Sequence, residues 1–155
     1  MVNCYFHNLE RLIKCLQEID GDFDPPLSIQ EKSLEDYAGR LLKTGGVIVR
    51  KNNSSLDGIF GYFREGEIIT ADLLWIAKSK RGSSTMYKLI KPCIEEERNF
   101  SGILRAKINE NNLTMKKILE KIGFELVRII ENDFDGSRTS LVYELPFEKI
   151  KEYFS

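Results

Sequence analysis

The chain has 155 residues, 42% apolar and 30% charged, which suits one domain with a real core and excludes a disordered polymer. Its net charge is −1 with acidic and basic residues interspersed, so no basic stripe marks a nucleic-acid partner. No apolar run reaches the length of a membrane span and no signal-peptide core opens the chain, so a cytoplasmic protein without a membrane partner is expected.

Leu9, Leu12, Ile13, Leu16 and Ile19 recur at helical spacing and predict a first helix over about residues 8 to 19. Gly21 and the Pro25-Pro26 pair in "DGDFDPPLS" stop it. Ser28 followed by Glu31 reads as a capping box for a second helix, with Leu34, Ala38, Leu41 and Leu42 on one face and an end at Gly45-Gly46. "GVIVR" and "DGIFGYFR" are strands separated by "KNNSSLDG", and a tight turn at Arg64 to Glu67 leads into "IITADLLWI". Those three strands are expected to form an antiparallel meander.

The next helix carries Met86, Leu89, Ile90, Cys93 and Ile94 on its buried face, with Pro92 expected to kink it or limit regular hydrogen bonding there. "GILRAKI" is a strand, and "NLTMKKILEKIGF" is a helix with a stripe of Met115, Ile118, Leu119 and Ile122 closed by Gly123. "ELVRII" and "RTSLVYEL" are strands around "ENDFDGS", which lacks the repeated carboxylates of a calcium loop and reads as a hairpin turn. The amphipathic tail "FEKIKEYF" is expected to pack on the core or on a second copy in a homodimer. The β-α-β portion from Leu73 to Ile108 predicts one parallel pair in an otherwise antiparallel sheet.

Cys4, Cys15 and Cys93 are widely spaced and read as reduced thiols. His7 is the only histidine, which argues against a histidine triad or a multi-histidine metal site. "LLWIAKSKRGSSTMY" is an apolar strand, a basic stretch, one glycine, a hydroxyl cluster and a helix start. That layout suits an anion, because a helix N-terminus offers unpaired N–H groups and a partial positive charge. Ser83, Ser84 and Thr85 serve equally well as helix caps.

"LLWIAKSKRGSSTMYKLI" resembles the strand, phosphate loop and helix of the GNAT superfamily of acyl-CoA-dependent N-acyltransferases, usually L-Y-V-x-P-x-x-R-G-x-G-x-G/A. "NNLTMKKILEKIGF" resembles that family's N-x-x-A-x-x-x-Y-x-K-x-G-F. The resemblance implies an α/β (α+β) fold over residues 1–155 as a single domain. Its mixed, mostly antiparallel sheet has one central parallel pair and about four flanking helices.

The resemblance also implies acetyl-CoA as co-substrate and no metal. Its cofactor positions are Leu74, Trp75 and Ile76 along the pantetheine, Arg81, Gly82, Ser83, Ser84, Thr85 and Met86 at the pyrophosphate, and Asn112 from the later helix. Asn112 also reads as an N-cap, and the two roles are compatible. Ser84 and Met86 stand where glycine or alanine is usual, and Met86 fits the buried stripe of its own helix. Leu119 stands where the family has the tyrosine often assigned to protonate the departing thiolate.

The implied function is N-acetyl transfer to a primary amine of a small molecule. The alternatives are a protein or peptide amine, and a CoA-binding module without catalysis. An amine must lose a proton to attack, and Asp72 is the candidate base, since it interrupts an apolar strand and by period two shares a face with Leu74 and Ile76. Pairing with an arginine explains Asp72 equally well. Glu67 and Tyr62 are weaker candidates for the base. Acceptor contacts are expected from Phe23 and Asp24 in "DFDPPLS", from Tyr62, and from the final hairpin.

Overall fold

The computed structural model describes residues 2–5, 8–31, 33–52, 55–82 and 84–155, with backbone alone at 2–5, 50 and 52. His7, Ser83, the middle of the "KNNSSLDG" turn and the Cys4 side chain fall outside the described residues. The elements in order are β1 (Val2–Tyr5), α1 (Leu9–Ile19), α2 (Leu27–Gln30), α3 (Leu34–Thr44), β2 (Gly45–Asn52), β3 (Ser55–Glu65) and β4 (Ile68–Ile76). There follow α4 (Thr85–Glu96), β5 (Ile103–Asn109), α5 (Leu113–Ile122), β6 (Glu125–Asn132), the one-turn α6 (Asp133–Gly136), β7 (Arg138–Pro146) and α7 (Phe147–Tyr153).

One seven-stranded sheet runs β1-β2-β3-β4-β5-β7-β6. β4 and β5 are parallel and every other pair is antiparallel, as the β-α-β connection requires. β1 is the strand that sequence periodicity does not announce; it pairs with the outer edge of β2.

The sheet separates two apolar layers. α1 and α3 place Leu12, Leu16, Tyr37 and Leu41 against Val47, Val49, Ile59 and Leu73. On the opposite face α4, α5 and α7 place Leu89, Leu119 and Phe147 against Ile48, Phe60, Ile69 and Leu104. The tail expectation resolves to the chain's own core, because Phe147, Ile150 and Phe154 are all buried in that second layer. Cys15 and Cys93 are reduced thiols buried in the two layers.

Two local expectations change. Ser28 does not cap a long second helix: its backbone N–H and hydroxyl both donate to the Asp20 carboxylate, at 2.8 and 2.7 Å. The chain turns at Glu31, and Ser33 caps α3 by accepting from the Asp36 N–H at 3.1 Å. In α4, which contains Pro92, Thr85 rather than Met86 joins Leu89, Cys93 and Ile94 among the buried residues. Met86 is half-buried and stands outside both apolar layers.

Candidate active site

The parallel ladder between β4 and β5 runs from Ile68↔Ile103 to Ala71↔Ala106 and stops there. Both strands continue, β4 to Ile76 and β5 to Asn109, so they splay into a V. A bulge starts the opening: Gly61 pairs with Leu73 and Tyr62 with Ala71, which leaves Asp72 as the extra residue. Across the bulge the alternation changes parity. Ile69 and Ala71 belong to the α4 layer, as do Leu74 and Ile76, while Leu73 and Trp75 belong to the α3 layer.

This corrects the face expected for Asp72. Its carboxylate does not follow Leu74 and Ile76 but accepts a 2.6 Å hydrogen bond from the hydroxyl of Tyr37 on α3. The partner is a phenol, not an arginine. Tyr37 is 1% exposed, and its pKa is raised well above the usual tyrosine value, first by burial and then by the Asp72 charge and hydrogen bond. The phenol therefore stays a proton donor to Asp72 across any ordinary working pH. Asp72 itself is exposed to the V.

A 3-10 turn over Lys78–Lys80 links β4 to α4. Arg81 donates from Nε to the Ile76 carbonyl at 3.1 Å, which folds the loop back over the end of the strand. Gly82 has φ +77°, a conformation that side-chain-bearing residues rarely adopt. α1, α3 and α5 have side-chain caps from Asn8, Ser33 and Asn112, whereas Ser84 makes no side-chain cap on α4. α4 packs close to β3 because residue 58 is glycine: a Cβ there would lie 2.7 Å from Leu89 Cδ1 and 3.3 Å from Thr85 Cγ2.

The α1/α3 side of the V is a polar groove. On β5 and β7, Leu104, Ala106, Ile108, Leu141 and Tyr143 point to the α4 layer, so Arg105, Lys107, Asn109, Ser140 and Glu144 take the other face. Trp75 Nε1 donates to Asp22 at 2.9 Å, and the Asp24 carbonyl accepts from Asn109 and Arg138, each at 3.4 Å. These contacts seat the "DFDPPLS" loop over the groove, with Phe23 half-buried against the α3 layer. From the far wall, Phe134 enters with φ 51°, its ring 4.5 Å from Lys107 Nζ and 4.8 Å from Arg138 Cζ.

Tyr62 does not reach this groove. It is 3% exposed in the α4 layer, and its hydroxyl donates to Glu97, which also pairs with Arg64. Glu67 sits at the β3–β4 turn, on the other end of β4 from the loop. Tyr37, Lys107, Phe134 and Arg138 enter the site without a sequence signal of their own. Among the described residues no group of three or more His, Cys, Asp or Glu side chains is placed to hold a metal ion.

Solved structures share this architecture. A protein from Desulfovibrio desulfuricans assigned to the GNAT family of acetyltransferases has a TM-score of 0.68 at 12% identity, over 94% of this chain and 99% of that one. The ribosomal-protein-S18-alanine N-acetyltransferase of Escherichia coli has a TM-score of 0.72 at 15% identity, over 94% of each chain.

The chain has the GNAT fold. A third protein with this fold, yncA of Salmonella typhimurium, was solved with its cofactor acetyl-CoA and has a TM-score of 0.66 at 13% identity over 95% of each chain. No family model matches the chain. Over 143 residues it is 26% identical to the chaperone protein HtpG of Bacillus subtilis (strain 168), covering 83% of this chain and 22% of that protein. The chain thus spans about a fifth of the chaperone's length.

Within the GNAT fold the departures from the motifs have definite places. Leu119 is 4% exposed in the α4 layer, so the position expected to hold a phenol is core. Asn112 caps α5, its Oδ1 accepting from the Met115 N–H at 3.2 Å.

Proposed function

We propose that the chain is an N-acetyltransferase that moves the acetyl group of acetyl-CoA to a primary amine of a small molecule. The observation that carries this reading is a parallel ladder that ends at Ala71 and Ala106 while both strands continue, beside the N-terminus of α4, where Ser84 makes no side-chain cap. The open edge of Leu74, Trp75 and Ile76 offers backbone N–H and C=O groups to an extended, amide-bearing arm as an added strand.

The α4 N-terminus suits a pyrophosphate, with Gly82 shaping the loop. Arg81 uses Nε internally, and its two terminal nitrogens have no partner among the described residues, which leaves them for an anion. Ser84 and Thr85 stand at the same helix end, and the Asn112 amide nitrogen has no partner among the described residues while its oxygen caps α5. When bound, acetyl-CoA supplies the acyl group: the amine nitrogen bonds to the thioester carbon, the C–S bond breaks, and sulfur leaves as a thiolate that water protonates. Asp72 attracts the amine's positive charge and takes the proton that the nitrogen must lose.

Leu119 favours a second reading, a CoA-binding module without turnover, because it offers no proton to the sulfur. A free thiol ionises near pH 8.5, so water is an adequate proton source and acetyl transfer remains the stronger reading. Acetyl-CoA at about a hundred times its Kd is expected to stabilise the chain by about 2.7 kcal/mol, a rise of roughly 5–10 °C in Tm. No shift at millimolar acetyl-CoA removes both readings. A shift without thiol release over broad amine and peptide panels selects the module.

A further inference from the structure

We infer that the acceptor carries a carboxylate beside its amine, as a free α-amino acid does, with Asp72 at the ammonium end of the groove and Arg138 at the carboxylate end. This rests on the acetyltransferase reading and narrows its substrate class.

Of the other groove charges, Asp22 accepts from the Trp75 indole and Asp24 is exposed, while three ion pairs match the rest. Glu31 pairs with Arg40 at 3.3 Å, Arg105 with Glu144 at 2.7 Å and Lys107 with Asp133 at 3.1 Å. Asp72 and Arg138 have only neutral partners. Asp72 takes its hydrogen bond from a phenol, and Arg138 gives its own to the Ser140 hydroxyl at 2.8 Å and, at a long 3.4 Å, to the Asp24 carbonyl. Both lie on the α3 side of the sheet under one loop: Asp72 accepts from Tyr37 of α3, Asp22 accepts from Trp75 on the same strand, and the Asp24 carbonyl accepts from Arg138.

Arg138 is built to stay in place. Ser140 accepts from its Nε and donates its own hydroxyl hydrogen bond to Asp133 at 2.6 Å, while the Phe134 ring lies against the guanidinium. Nη2 has no partner among the described residues, and the 3.4 Å contact of Nη1 is weak enough to exchange. Half-buried, the guanidinium has lost hydration, which pulls its pKa down; the carboxylates of Asp133, Asp24 and Asp72 push the other way. Asp133 is committed to Lys107 and Ser140, and Asp24 is exposed. A fixed guanidinium edge with one net charge matches a planar carboxylate, whereas a dianionic phosphate calls for a second unmatched cation. A polypeptide N-terminus places an amide at this point and leaves Arg138 without a counter-charge.

The test begins with calorimetric titration of acetyl-CoA, which checks donor binding by itself. Thiol-release rates are then measured for the free L-amino acids, each beside its own carboxamide and a short peptide with the same first residue. At least one amino acid is expected to turn over, with kcat/KM about 10–100 times that of its carboxamide. In Arg138→Met, with folding verified by circular dichroism, that ratio falls towards one through a rise in KM for the amino acid; Arg138→Lys restores it in part. The inference is overturned if a carboxamide or peptide equals or exceeds its amino acid, or if no amino acid reacts while acetyl-CoA binds. The wild-type comparison needs no variant, so a misfolded Arg138→Met does not rescue the idea. Absence of acetyl-CoA binding fells the acetyltransferase reading and this inference together.

Discussion

Asp72→Asn is expected to lower kcat/KM for the amine acceptor by about 10²–10⁴ at neutral pH. An alkylamine with a pKa near 10.4 is free base in only about one molecule in several thousand at pH 7, so removal of its proton sits squarely in the rate. The amide keeps the size of the carboxylate and can still accept from Tyr37, so the bulge geometry is preserved while the negative charge and basicity are lost. The loss should therefore shrink as the pH approaches the amine's own pKa, where the nucleophile arrives already deprotonated. Initial rates of thiol release from about pH 6.5 to about pH 10 decide this. A deficit of constant size across that range restricts Asp72 to binding and ends its role as base. Tyr37 acts through Asp72 and is a positioning residue, since its raised pKa keeps it from titrating with the reaction.

The periodic parts of the fold were legible because they rest on local chemistry. "IITADLLWI" matches β4 from Ile68 to Ile76, and the parallel pair follows from a helix placed between two strands. The bulge was not legible, since "TADLLW" reads as uninterrupted alternation and the neighbouring strand decides which residue is skipped. The α3 cap was misplaced because Ser28 and Glu31 match a capping box by spacing alone. Asp20, eight residues upstream, takes both Ser28 donors, and Ser33 caps α3 instead. The same limit explains the groove. Arg138, Lys107 and Tyr37 come from β7, β5 and α3, and only the sheet order brings them to one space. Tyr62 failed as an acceptor contact for a related reason, because the strand parity that buries it against Glu97 is set by the layers on either side. The turn before α4 is a local matter by contrast, and the glycine of "RGSST" takes the left-handed conformation there.

Gly58→Val should both destabilise the chain and loosen the cofactor site. Gly58 lies in β3 opposite Ile76, beneath the start of α4. A bare Cβ already meets Leu89 Cδ1 at 2.7 Å, Trp75 O at 3.2 Å and Thr85 Cγ2 at 3.3 Å. In Gly58→Ala the flexible end of Leu89 can turn aside, so the effect is small. Valine adds two γ-carbons against fully buried Leu89 and buried Thr85, and overpacking of that kind costs about 1–3 kcal/mol. The expected fall in Tm is roughly 3–10 °C. The strand is fixed between neighbours on both sides, so the strain is relieved by moving α4, and with it the helix end and the Gly82 turn. Acetyl-CoA affinity should then weaken by about tenfold, since helix-end electrostatics fall off within one turn. Melting curves with and without acetyl-CoA separate the two effects: the apo Tm reports the packing and the ligand-induced increment reports the cradle. If Gly58→Val lowers the apo Tm while the increment keeps its wild-type size, the start of α4 is not where the pyrophosphate binds.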